Sequence, residues 1–177
     1  MGEHEPTLEE WFSLAYEELR RMASVVRRDN ASMTLNPTAL VHEAWLKLAR
    51  TSSLEVSSRL HFKRVAARAM RQVLVDAARR KNAEKRGAGA AFVTFDDALD
   101  HADATADDVL ALDEALAELA AVSPRQAAMV ESRFFGGFDV NETAQLLGLS
   151  EATVMRDWRA ARAWLAVRLR SGQASTP

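Results

Sequence analysis

DVNETAQLLGLSEATVMRDWRAARAWLAVRL, Asp139 to Leu169, is the stretch on which the fold reading turns. Asp139 with Glu142 three residues on is a capping box opening a short helix. Gly148-Leu149-Ser150 makes a tight turn, and Ser150 caps a second, longer helix. Ala144 falls where the two helices approach, and Leu147, Leu149 and Val154 supply the apolar contacts between them. On the second helix Val154, Trp158, Ala161, Leu165 and Leu169 recur at spacings of three or four and predict a buried face. The opposite side carries Thr153, Arg156, Arg159 and Arg162, with Ser150 and Glu151 at the N-terminal end. A helix-turn-helix so arranged can set its first side chains against base edges and its arginines on bases or phosphates. Two short helices around a glycine also occur in proteins that never touch DNA.

Upstream of the turn, Ser123-Pro124 with Gln126 reads as the cap of a helix ending at Gly136-Gly137. Val109, Leu112, Leu116 and Leu119 begin the C-terminal helical domain. At the other end of the chain, Thr7 and Glu10 form a capping box for an amphipathic helix to about Asp29, with Leu8, Trp11, Phe12, Ala15, Leu19, Met22 and Val26 on one face. A polar turn over Asp29 to Ser32 follows, and Asn36-Pro37 starts a second helix with core residues Leu40, Val41, Ala44, Trp45 and Leu48. Its other side presents His42, Glu43, Leu46, Ala49 and Arg50, and an apolar Leu46 among polar neighbours suggests a partner surface. TSSLEVSS, residues 51–58, is a hydroxyl-rich loop. A third helix, from about Arg59 to Asn82, is expected to bury Phe62, Val65, Ala66, Ala69, Met70, Val73 and Ala77 and to show Arg64, Arg68, Arg71 and Arg79 on another face.

The net charge of −2 conceals a strong division. Residues 59–86 carry 10 basic and 2 acidic groups, whereas 87–118 carry no basic and 9 acidic groups. Screening confines each field to about 8–10 Å at ordinary salt, so the local signs matter more than the total. The basic block is too lopsided for a merely solvated face and points to a polyanion, nucleic acid above all. Gly87 to Asp108, with small residues and six aspartates, reads as a linker.

At 177 residues the chain allows one large domain or two small ones, and 48% hydrophobic residues suffice for helical cores. The absence of cysteine excludes disulfides and thiolate metal sites and fits a reducing cytoplasm. A polar Met1 to Pro6 and the lack of any apolar run of roughly 18 residues predict a cytoplasmic protein without membrane insertion. His42-Glu43 lacks the second histidine of a zinc hydrolase, since position 46 is leucine, and His4, His61 and His101 are scattered. Gly87-Ala88-Gly89 lacks the strand and further glycine of a phosphate loop. No metal, cofactor or catalytic residue is expected, and no enzyme.

VSPRQAAMVESRFFGGFDVNETAQLLGLSEATVMRDWRAAR resembles region four of bacterial sigma factors, in which a Pro-Arg-Gln helix leads into a helix-turn-helix that reads the minus-thirty-five promoter element. TALVHEAWLKLAR and LHFKRVAARAMRQVLVDAARRKNAEKRG are similar to region two of the extracytoplasmic-function group, which keeps only regions two and four. The resemblance implies an all-α protein of two small helical domains: region two over 1–86, an acidic linker over 87–108, region four over 109–170 and a disordered tail over 171–177. It implies core RNA polymerase and promoter DNA as partners. His42, Glu43, Leu46, Lys47 and Arg50 would meet the polymerase clamp. His61, Arg64, Arg68, Arg71 and Arg79 would hold the minus-ten element, and Ser150, Glu151, Thr153, Arg156, Arg159 and Arg162 the minus-thirty-five element. The linker would thread basic channels of the polymerase.

Two departures from the family pattern stand out. Asn36-Pro37-Thr38-Ala39 replaces a frequent acidic run, which implies weak polymerase binding. The aromatics early in the promoter-melting helix are only His61 and Phe62, so the residue that captures a flipped base stays unassigned. The resemblance is closest to a subgroup associated with serine/threonine kinases. Thr51, Ser52 and Ser53, just after the polymerase-facing helix, are therefore candidate phosphorylation sites, with Thr51 favoured. Control by an anti-sigma factor is the other regulatory expectation. Two further readings stay open at this point: a helix-turn-helix regulator with an N-terminal dimerisation or sensing domain, and a kinase-regulated adaptor.

Overall fold

The computed structural model describes residues 6–28, 36–51, 55–84 and 106–173. Among them are seven α-helices and no strand: α1 (Leu8–Arg28), α2 (Pro37–Ala49), α3 (Arg59–Glu84), α4 (Ala106–Val122), α5 (Pro124–Gly136), α6 (Val140–Leu147) and α7 (Glu151–Gln173). The all-α expectation holds. The turn at Asp29 to Ser32, the linker over 87–105, Ser52 and Ser53, the last residues of the tail and the side chains of Met22 and Val26 lie outside the described residues.

The caps explain the boundaries. Thr7 and Glu10 exchange the two bonds of the capping box at 2.7 and 3.3 Å. Asn36 accepts from the Ala39 amide at 2.7 Å, with Pro37 in the first turn of α2. Ser58 accepts from the His61 amide at 3.1 Å and so caps α3, a role the sequence reading did not assign. Ser123 precedes α5 as expected but makes no side-chain capping bond. Its φ of −150° and ψ of 81° depart from usual cap geometry, so Pro124 and the packed interior of α5 set that start instead. α4 begins at Ala106, inside the stretch read as linker, because Asp107 and Asp108 suit the positive end of a helix dipole. The final helix likewise runs to Gln173, two residues beyond the start of the expected tail.

α3 is the centre of the molecule. It packs on α1 and α2 on one side and on α4 and α5 on the other, with a smaller contact to α6. Phe62, Ala66, Ala69, Met70 and Val73 are buried as expected, but so are Ala67, Leu74, Val75 and Ala78. Apolar residues therefore surround most of the helix, and burying one face alone would leave the other in water. A single buried cluster runs from Ala15 in α1 to Leu165 in α7. The front and back halves share one core.

Candidate nucleic-acid interface

The helix-turn-helix is built from local bonds. Asp139 accepts from the Glu142 amide at 2.7 Å while Glu142 accepts from the Asp139 amide at 3.2 Å. Gly148 closes α6 in the left-handed region, φ 64°. Ala144, Met129 and Val154 form a small buried cluster flanked by Val140, Leu147, Leu149 and Trp158. Nothing lies within 4 Å of a Cβ built at Gly148, so Gly148→Ala meets only backbone strain. It should cost roughly 1–2 kcal/mol, read from the denaturant midpoint, and an unchanged midpoint would contradict the left-handed turn.

On α7, Val154, Ala161 and Leu165 are fully buried, with Trp158 and Leu169 partly so. Arg156 and Arg159 are exposed on the other side, and Arg162 and Thr153 half-buried. Ser150 receives the Thr153 amide at 3.2 Å and shares a hydroxyl contact with Thr153 at 2.9 Å. Glu151 accepts from Asn141 at 3.2 Å, and Asn141 from Gln145 at 2.6 Å, so a polar chain ties the two helices across the turn.

Asp157 was not foreseen as part of this surface. It is 5% exposed and takes Arg125 of α5 at 2.5 Å, with Arg156 at 3.5 Å. The signal was present: position 157 lies three after Val154 and four before Ala161, and a carboxylate on an apolar stripe needs a cation. Through it Arg125 fixes α7 to α5. Arg133 lies over Trp158 at 4.4 Å, and its burial pulls the guanidinium below its usual range while Asp139 opposes the shift. Farther along, Arg168 grips Glu118 of α4 through two bonds of 2.5 Å, which hold the Glu118 carboxyl below its ordinary range. Both groups are solvated, so this bridge adds little stability.

The front half sorts its candidates differently. Arg64 and Arg68 are exposed on α3, and Arg79 is 65% exposed at 3.8 Å from Asp113. Arg71 is turned inward, 2.7 Å from Asp113 and 3.1 Å from Glu131. His61 faces its own loop, its Nδ1 at 3.3 Å from the Ser57 amide and 3.2 Å from the Ser57 hydroxyl. Phe62 is fully buried and in this arrangement cannot receive a base. On α2, His42, Glu43, Leu46 and Arg50 share the exposed side, whereas Lys47 is held by Asp76 of α3 at 2.5 Å. Phe12 of α1 stacks on Trp45 at 4.5 Å and fixes the inner side of α2. Thr51 is exposed and its hydroxyl donates to the Lys47 carbonyl at 3.2 Å.

No group of three or more histidine or acidic side chains among the described residues could hold a metal ion. No helix among them is long and apolar enough to cross a membrane. No curated protein and no solved structure matches the chain. A family model described as ECF sigma factor does match, over residues 2–171, taking in the α2 and α3 surfaces as well as the helix-turn-helix. Because that match runs through both halves and not the DNA-reading motif alone, the chain belongs to the ECF sigma factor family.

Proposed function

We propose that this protein binds core RNA polymerase and directs initiation at a restricted set of promoters. The front half, residues 1–86, docks on the polymerase through His42, Glu43, Leu46, Lys47 and Arg50 and holds the minus-ten element through the basic face of α3. The back half, 109–170, reads the minus-thirty-five element with Ser150, Glu151, Thr153, Arg156, Arg159 and Arg162. The observation that carries this reading is an exposed Arg156 and Arg159 on a helix whose other side is anchored in a capped helix-turn-helix. The family match over both halves speaks against a plain regulator or an adaptor. Transcription in vitro with purified core enzyme tests it. Promoter-specific initiation is the expected result, and a core that starts no differently with the protein than without it overturns the reading.

Within this function we infer control by a serine/threonine kinase at Thr51, with an anti-sigma factor as the other regulatory reading. Thr51 is exposed, follows Arg50 and sits at the C-terminal end of the polymerase-facing helix. A phosphate there adds about −1.5 to −2 charges and three acceptor oxygens to a surface that lacks carboxylates at 36–39. Thr51→Ala should abolish kinase-dependent polymerase binding, measured by co-purification. Unmodified protein that binds as strongly as the phosphorylated form counts against the switch.

A further inference from the structure

Among the described residues, four buried polar side-chain atoms have no hydrogen-bond partner. Two of them, Glu18 Oε2 of α1 and Arg133 Nη1 of α5, belong to residues that line one cavity of about 390 Å³. That volume falls within the range of about 300–1,000 Å³ usual for small-ligand sites. The cations around it are Arg21, Lys63 and Arg133, and the anions are Glu18, Asp139 and Glu142. Several of these groups are already committed to one another. Lys63 donates to Glu142 at 2.5 Å and has its ammonium 4.6 Å from the centre of the Phe138 ring. Asp139 accepts from the Glu142 amide at 2.7 Å. Glu18 Oε1 takes Arg59 at 2.5 Å, whereas Oε2 lies 3.8 Å from the Lys63 ammonium, too far for a hydrogen bond. Arg133 rests on the Trp158 ring, which satisfies its face but not its Nη1. Arg21 is exposed and spends Nε on the Glu17 carbonyl of its own helix at 3.3 Å.

A buried carboxylate oxygen and a buried guanidinium nitrogen are each costly to leave unpaired. One molecule that donates to the first and accepts from the second removes both costs. The surrounding charges select its type. A simple anion drawn to Arg21 and Arg133 also meets Glu18, Asp139 and Glu142, and a simple cation drawn to Glu18 meets Arg21, Lys63 and Arg133. A zwitterion answers both signs without adding net charge. Phe134 is the one large apolar side chain on the wall, and it suits an apolar substituent. We propose that this cavity binds a free α-amino acid with an apolar side chain, its ammonium donating to Glu18 and its carboxylate accepting from Arg133 and Arg21. So held, the ligand joins α1 to the end of α5 just before the helix-turn-helix. Solvent can also donate to one atom and accept from the other, and affinity for the amino acid separates the two occupants.

L-phenylalanine and L-leucine are titrated calorimetrically into the full-length chain. N-acetyl-L-phenylalanine, which lacks the ammonium, and L-phenylalaninamide, which lacks the carboxylate, are titrated beside them. The expected result is saturable binding of a free amino acid, with the two blocked compounds weaker by roughly tenfold or more. The melting temperature should rise by roughly 5–10 °C at a hundredfold excess over Kd. Glu18→Gln should weaken L-phenylalanine about tenfold and leave the N-acetyl compound as it was. Arg21→Gln should shrink the difference between L-phenylalanine and its amide. A merely structural role for either residue moves neither ratio. Arg21 is exposed, so that variant keeps the test alive if Glu18→Gln, which also alters the bond to Arg59, unfolds the protein. No saturable binding of either free amino acid up to about 10 mM overturns the proposal and leaves the two atoms to solvent. Equal affinity for free and blocked compounds overturns it as well, as do variants that weaken all of them alike. None of these readouts needs DNA or polymerase, so an inactive transcription assay would count against the proposed function alone.

Discussion

Phe62→Ala is expected to cost about 3–5 kcal/mol, a large part of the roughly 5–15 kcal/mol that holds a domain folded. Phe62 is fully buried, near the start of the helix that packs on α1, α2, α4 and α5. Removing its ring leaves a cavity that α1, α2 and the back half cannot collapse together to fill, because α3 is gripped from both sides. The larger buried cluster runs through both halves, so the loss should appear as a lower denaturant midpoint for both, followed by separate probes. A shift worth less than about 1 kcal/mol would mean the ring is not packed as described. If instead only the front half weakens, the halves do not share their core in solution.

Arg156→Ala should reduce promoter affinity by about 1–3 kcal/mol if the guanidinium reads a base. Its side chain is 71% exposed, and Asp157 lies 3.5 Å from its Nε without enclosing it, so the forked end is available to a guanine edge. A base contact relaxes preference at one position of the upstream element. A phosphate contact weakens all sequences alike and flattens the salt dependence by about one. Footprinting and affinity at two salt concentrations separate these outcomes, and no change in either would remove Arg156 from the interface.

Much of the back half was legible before any coordinates. The bonds of Asp139 with Glu142 and of Ser150 with Thr153 each span three residues, so they follow from local spacing alone. The same holds for Thr7 with Glu10 and Asn36 with Ala39. Ser123 shows the limit, since a cap residue of the right type took a backbone conformation that its neighbours preferred. Asp157 was readable in principle from its place on an apolar stripe, but its partner lies 32 residues away.

By itself, then, the sequence determined the seven helices' character, the helix-turn-helix and the exposed arginines of α7, because periodicity and capping are short-range properties of the chain. It also showed that residues 59–86 carry a strong positive charge. Only the tertiary structure decided which of those charges face solvent. Arg64 and Arg71 look alike as members of one basic helix, yet one is exposed and the other lies between Asp113 and Glu131. Their difference comes from contacts 42 and 60 residues distant in the chain, formed when a helix apolar on two sides buries both of them.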